Sequence, residues 1–391
     1  VGDQVLVEAA GRLQTCVRAS DTVARMGGDE FVILLDRIDL PEGAQITVDR
    51  IETKLAEPLT VNGRELFLTA SIGAVLDTRG YETAEDLVRD ADTAMYEAKQ
   101  HDRKWVVFDV AMRDKLAERL RLEGEIRHAL DREEFLIHYQ PIVSIDDGAL
   151  VAYEALVRWE HPDRGLVAPA EFIGLMEENG LIVDLGRWVL REACREMQMR
   201  FPGASPEAPA LSVNLSRRQL RPELVGEVAR TLEDTGFDPK RLKLEVTETA
   251  ILEQPDLAAD TLHSLKALGV QILMDDFGTG HSSLGVLHVL PIDQLKIDRS
   301  FIQRLGVDHE GTELVRGIIT MCQTLGLRVV AEGIERDDQL ASLREFACDL
   351  GQGYLFARPT VLPAEHPERE SPSPARRGAP VTSPGAGPLT P

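Results

Sequence analysis

From about residue 135 onward the chain repeats one alternation, a short apolar run followed by a helix-like stretch, and this rhythm constrains the fold more than any other feature. FLIHYQPIV, LVAYEALVRW, ALSVNLS, RLKLEVTE, QILMDDFG, QLKIDRSF, RVVAEGI and LGQGYLF are eight strand candidates. Longer patterns such as EFIGLMEENG and LVRGIITMCQTLG, with apolar residues at helical spacing, lie between many of them. Eight strands with interleaved helices over about 245 residues fit the α/β class and a TIM-like (β/α)8 barrel. A doubly wound open sheet is the rival topology on pattern alone.

At 391 residues the chain exceeds the size at which single cores stop growing, so more than one domain is expected. Residues 1–108 mix β-rich runs (31–35, 66–75, 105–108) with helical patterns, which reads as a small α+β domain. Leu116, Leu120, Ile126 and Leu130 recur at helical spacing amid charges and predict a connecting amphipathic helix. The boundaries that follow are 1–108 for the first domain, 109–122 for the linker helix and 123–361 for the barrel. Residues 362–391, ending SPSPARRGAPVTSPGAGPLTP, are too rich in Pro, Gly and Ser to bury a core and read as a disordered tail.

Lys and Arg number 43 against 66 Asp and Glu, a formal net charge of −23. That field repels nucleic acid and anionic lipid, so no nucleic-acid partner is expected. A phosphate-bearing ligand would need divalent cations, held by clustered carboxylates, to reverse the field locally. The four cysteines, Cys16, Cys194, Cys322 and Cys348, form no CxxC pair and read as buried free thiols suited to a reducing cytoplasm. No apolar run approaches the roughly 18 residues needed to cross a bilayer. The sequence begins at Val1 without an initiator Met, so a targeting, sensory or membrane-anchoring segment upstream would lie outside it.

Several strand candidates end in carboxylates: Glu154, Glu245 with Glu248, Asp275 with Asp276, and Glu332 with Glu335. In a barrel, strand ends converge on the C-terminal face where the chemistry is done, so these acids are expected to meet. A single acid after a strand is usually a helix cap or turn former. So many on different strands are not all caps. Gathered anions raise one another's pKa unless cations neutralise them. An oxygen-only donor set, with Asn214 adding an amide, selects hard ions such as Mg2+ or Mn2+. The vicinal Asp275 and Asp276 suit a bridging role in a two-metal site, and Lys296 adds a positive charge at another strand end. A glycosidase is a rival reading, but it needs aromatic sugar platforms, and aromatics make up only 5% of the residues.

YEALVRW carries the Glu-Ala-Leu signature of EAL-domain cyclic-di-GMP phosphodiesterases, and the resemblance continues through YQPIV, SVNLS, LEVTE, MDDFGTG, LKIDRSF, AEGIE and GQGYLF, from about Leu116 to Pro359. The resemblance implies hydrolysis of cyclic di-GMP to linear pGpG by a two-metal mechanism with Mg2+ or Mn2+, in bacterial second-messenger signalling. It implies that Glu154, Asn214, Glu245 and Asp275 ligate one metal, and that Asp275, Asp276 and Glu332 serve the second ion and its water. Lys296 would orient that water or the scissile phosphate. Glu248 would steady the DDFGTG loop, and Gln140, Arg158 and Gln352 would contact or support the ligand. A guanidinium four residues after Glu154 is chemically suited to a phosphate. A homodimer through the barrel is a further expectation. His281 stands where the family usually has Tyr, with Gly278 and Gly280 kept, so altered regulation or dimer contact is expected ahead of lost chemistry. A catalytically silent cyclic-di-GMP-binding relay is the alternative, and it would predict a damaged metal set; none of the six positions is damaged.

The first domain resembles GGDEF diguanylate cyclases through VARMGGDEFVILL, LTASIGAV and ADTAMYEAKQHDRK. The resemblance implies a metal at Asp29, guanine recognition by Asp3, phosphate contacts from Lys99 and Arg103, GTP as a ligand, and an inhibitory product site at Arg18 and Asp21. The family's first strand would precede Val1, and Asp102 and Lys104 stand where Gly and Asn are usual. The domain is therefore read as truncated at its N-terminus and unable to make cyclic di-GMP in the chain as given. A full-length protein acting chiefly as a diguanylate cyclase is the remaining alternative.

Overall fold

The computed structural model describes residues 2–36, 38, 41–61, 64–100, 103–203, 208–278 and 290–362. Asp102, Gly280, His281 and residues 363–391 of the expected tail lie outside them. The chain divides into two compact units, 1–126 and 127–391.

In chain order the first unit contains α1 (Gly2–Thr15), β1 (Thr22–Gly27), β2 (Glu30–Leu34), α2 (Pro41–Leu55), β3 (Leu59–Val61), β4 (Arg64–Leu66), β5 (Ile72–Ala74), α3 (Ala84–Gln100), β6 (Trp105–Val107) and α4 (Val110–Ala129), the last crossing into the second unit. Gly27 pairs with Glu30, so Gly28 and Asp29 alone turn the β1–β2 hairpin. Gly28 adopts φ +50°, a left-handed conformation that costs glycine nothing. The run 66–75, expected as one strand, divides because its ends pair differently: β4 lies antiparallel to β3, whereas β5 lies parallel to β6 after the α3 crossover. Leu13, Cys16, Ile51 and Leu55 form one buried cluster, with Val23, Phe31, Ile33, Leu68 and Ile72 packed against it. Ala94, Ala98 and Val106 form another, with Phe108 and Met112. The linker helix expected over 109–122 runs on to Ala129.

The second unit continues with β7 (Phe135–Ser144), β8 (Leu150–His161), β9 (Gly165–Val167), α5 (Pro169–Asn179), α6 (Ile182–Arg200), β10 (Ala210–Leu215), α7 (Glu223–Thr235), β11 (Leu242–Thr247), α8 (Glu248–Glu253), α9 (Pro255–Ala267), β12 (Gln271–Phe277), β13 (Gln294–Ile297), α10 (Arg299–Ile302), α11 (His309–Leu325), β14 (Arg328–Ala331), α12 (Asp337–Glu345) and β15 (Leu350–Gly351). The eight expected strands close into a barrel in the order β7, β8, β10, β11, β12, β13, β14, β15, with β9 added outside the ring along β8. The barrel departs from an all-parallel (β/α)8 pattern at β7, which is antiparallel to both β8 and β15. The cause is local: only IDDGA joins β7 to β8, too short for a crossover helix and long enough for a hairpin.

Residues two apart on a strand share a face, and this stacks the lumen in layers. Ile142, Ala152, Val330 and Leu350 form a fully buried apolar cluster. Each lies two positions from Gln140, Glu154, Glu332 or Gln352 on its own segment, so half of the acidic centre rests on a dry floor. Beneath Asn214, Glu245 and Lys296 the corresponding positions are Ser212, Lys243 and Gln294, all buried, where the Lys243 ammonium donates to Gln294 Oε1 at 3.2 Å. Burial first, and the charge of Arg328 second, push the Lys243 pKa down to about 8.

Candidate active site

Lys296, on β13, is 1% exposed and stands at the centre of the expected acidic cluster. Its Nζ lies 2.6 Å from Glu245 Oε2 and 3.6 Å from both Glu154 Oε2 and Asp275 Oδ1, and it also pairs with Glu332 Oε1. Burial works against this ammonium, yet Asp275, Glu154, Glu245 and Glu332 together hold its pKa well above the ordinary lysine value. The carboxylates respond in the opposite sense. Burial, reinforced by Glu154 and Asp275 and opposed by Lys296, pushes Glu245 up to about 8. Burial likewise raises Glu332 well above the ordinary range, with Lys296 opposing and Asp275 and Glu154 adding. Asp276 is raised by burial first, then by Asp275 and Asp298. One ammonium therefore serves more anionic groups than it neutralises.

Other side chains fix the carboxylates in place. Asn214, exposed near the end of β10, donates through Nδ2 to Glu154 Oε1 at 2.7 Å. Gln352 Nε2 donates to Glu154 Oε2 at 2.5 Å and to Gln140 Oε1 at 2.9 Å, and Gln140 in turn donates to the Ala357 carbonyl at 3.1 Å. Gln140 faces Glu154 directly across the antiparallel β7–β8 ladder. Gln352 Oε1 is buried with no hydrogen-bond partner among the described residues. The segment beside it approaches the chain just beyond β14 closely enough that a Cβ on Gly353 would sit 2.1 Å from the Ile334 carbonyl oxygen, so only glycine fits there. Ser212 Oγ, which the sequence did not single out, donates to Glu245 Oε1.

The vicinal aspartates are brought together by irregular backbone. Successive strand residues face opposite ways, but the β12–β13 register breaks between Met274 and Phe277, and Asp276 takes φ +55°. Its amide donates to Asp275 Oδ1 at 2.9 Å. A non-glycine residue in this region is strained, and such strain gathers at functional sites.

The picture of carboxylates all sitting at strand ends needs correction. Glu154 lies within β8, which continues to His161 to pair with β7 and β9. Glu335 does not join the centre, because it pairs with Arg299 at 2.9 Å. Glu248 is buried as the first residue of α8 and is absent from the set around Lys296. Most of the loop it was expected to steady, residues 279–289, lies outside the described residues. Arg158 is half-buried, donates through Nη1 to the Val157 carbonyl at 2.8 Å, and has its pKa lowered by burial, with Tyr354 and Glu154 pulling the other way.

Among the described residues no three His, Cys, Asp or Glu side chains form a ready metal-coordinating group, since the carboxylates are drawn onto Lys296. The donor chemistry nevertheless fits a hard divalent cation. It consists of carboxylate and amide oxygens without thiol or imidazole, and its surplus negative charge is what such a cation would relieve.

In the first unit the expected nucleotide-contact residues are surface groups: Asp3 in the first turn of α1, Asp29 on the hairpin turn, Lys99 in the last turn of α3, and Arg103 just beyond it. Asp21 has a structural task. It accepts the amides of Arg18 at 2.7 Å and Asp36 at 3.0 Å, and these bonds, the Arg18 one foremost, hold its carboxyl below the ordinary value.

The family model described as "EAL domain" matches residues 123–359, and that described as "Diguanylate cyclase, GGDEF domain" matches residues 1–104. The chain is 40% identical over 367 residues to the bifunctional diguanylate cyclase/cyclic di-GMP phosphodiesterase MucR of Pseudomonas aeruginosa, covering 93% of this chain and 53% of that protein. It is 43% identical to the cyclic di-GMP phosphodiesterase NbdA of the same organism, covering 93% and 46%. The chain thus spans about half the length of these relatives. Among solved structures, the Pseudomonas aeruginosa MucR phosphodiesterase in complex with c-di-GMP is similar with a TM-score of 0.59 and 41% identity, covering 62% of this chain and 98% of that one.

Proposed function

The chain belongs to the EAL-domain family, with a GGDEF-family segment ahead of its barrel, and on that premise we propose that it is a cyclic-di-GMP phosphodiesterase that opens one phosphodiester of the ring to give linear pGpG. The observation that carries this reading is the convergence of Glu154, Glu245, Asp275 and Glu332 on Lys296, with Asp276 close by. Glu154, Asn214, Glu245, Asp275, Asp276 and Glu332 are the residues that would hold two Mg2+ or Mn2+ ions. When bound, such ions lower the pKa of water and neutralise charge on a phosphoryl oxygen.

The chain's own residues supply the rest. Lys296 stays protonated among its acids and orients the attacking water or a phosphate oxygen. Arg158, whose charge is costly where it sits and which forms no ion pair among the described residues, suits a forked contact to phosphate. The unsatisfied Gln352 Oε1 would accept a substrate N–H, and Gln140 fixes the orientation of that amide. Glu248 is proposed to steady the loop after β12. GTP is proposed as a ligand of the first unit at Asp3, Asp29, Lys99 and Arg103, with Arg18 and Asp21 as an inhibitory product site. A homodimer through the barrel and a cytoplasmic location for these domains complete the proposal.

The test is to incubate the full chain with Mn2+ and either cyclic di-GMP or GTP and to resolve the products. Cyclic di-GMP should become pGpG, and Glu154→Ala, verified as folded, should reduce turnover to background. Binding of cyclic di-GMP without hydrolysis would make the barrel a relay, and undiminished turnover in Glu154→Ala would overturn the assignment.

A further inference from the structure

We infer that Ser212 is a positioning residue for the metal-binding carboxylate Glu245, an inference that rests on the phosphodiesterase reading above. Ser212 lies on β10 two residues before Asn214, so both side chains face the lumen. It is paired in register with Glu154 on β8 and with Lys243 on β11, which places it between the segments that carry Glu154 and Glu245. Its hydroxyl is fully buried, and the acceptor that hydroxyl reaches is Glu245 Oε1.

Glu245 is itself 1% exposed, so water does not complete its hydrogen bonds. One oxygen takes the Ser212 proton and the other faces Lys296 at 2.6 Å. Two donors on opposite oxygens fix both the plane of the carboxylate and which oxygen is offered to the centre. Without the hydroxyl, Oε1 would be a buried acceptor lacking that donor, and the carboxylate would be free to rotate toward Lys296 or Lys243. Hydrogen bonds that orient a ligating carboxylate commonly govern metal affinity as strongly as some ligands do. Serine carries no catalytic signature in a strand, so its role emerges only from the barrel register.

The test compares the 391-residue wild-type chain with Ser212→Ala and Ser212→Thr. Mn2+ binding is measured by calorimetry without substrate, and the KM for cyclic di-GMP is measured at saturating Mn2+. Ser212→Ala should raise the Mn2+ dissociation constant about 10-fold or more, leave KM near wild type and keep the thermal midpoint. Ser212→Thr, which restores the hydroxyl on a strand-favouring residue, should recover most of the affinity. Wild-type Mn2+ affinity in folded Ser212→Ala, with the wild-type chain hydrolysing cyclic di-GMP, overturns the inference alone. A wild-type chain that neither binds Mn2+ nor hydrolyses cyclic di-GMP overturns the phosphodiesterase reading and the inference with it.

Discussion

At the scale of the residue, the decisive balance is one buried ammonium against the acids around it. Removing one partner of a buried ion pair leaves an uncompensated charge and typically costs about 3–5 kcal/mol. Lys296→Met, in chelator-treated protein, should therefore lower the barrel's unfolding free energy, read from urea titration, by an amount in that range and move its midpoint down with it. Added Mn2+ should restore part of it, because the ion takes over the neutralising role. A wild-type midpoint in metal-free Lys296→Met would show that the acids are already protonated and that the ammonium does not hold them together. The sequence displayed these acids and this lysine, since each interrupts an apolar run. It did not display Lys296 at the centre, because that position is set by β13 lying between β12 and β14. Glu332 and Glu335 read alike in sequence, yet the chain leaves the strand at Ala331 and only Glu332 reaches Lys296.

At the scale of the element, periodicity gave eight strands correctly but was silent on direction, because alternation looks the same read either way. The inversion of β7 was legible only in the brevity of IDDGA. The Asp275–Asp276 kink was not legible, since a register break has no compositional mark. α4 shows a further device that local pattern hides. Asp90 on α3 is fully buried and accepts from Arg113 Nε on α4 and from the Tyr81 hydroxyl, each at 2.6 Å, with a second Arg113 bond from Nη2. These bonds, the Arg113 pair first, hold the Asp90 carboxyl below its ordinary value of 3.8 against the effect of burial. Arg113→Met should lower the first unit's thermal midpoint at pH 7 by about 5 °C, the response of a domain this small to one lost charged contact. A depressed carboxylate stabilises fully above its unfolded pKa and ceases to do so as pH falls through the folded value. The gap between variant and wild type should thus narrow below about pH 4. A gap independent of pH would mean that Arg113 acts through its contact with the Phe108 ring, 5.4 Å away, rather than through Asp90.

At the scale of the whole molecule, a net charge of −23 is spread over two units that each bury their own clusters. A field of that sign draws divalent cations in general, but among the described residues it is the barrel that brings carboxylates together behind low-dielectric walls. In the first unit Asp29, on the hairpin turn, and Glu30, at the start of β2, are exposed, and water already screens them. Scanning calorimetry of the chelated chain should therefore resolve two transitions, one for each unit. An ion bound only to folded barrel, at 100 times its dissociation constant, adds about 2.7 kcal/mol to that transition. Mn2+ should accordingly raise one midpoint and leave the other in place, and Glu154→Ala should erase the shift. Equal shifts in both transitions would mean that the first unit holds the ion as well, and the shift of its transition would then survive Glu154→Ala. A single transition, moved as a whole by Mn2+ and no longer moved in Glu154→Ala, would mean that the units unfold as one.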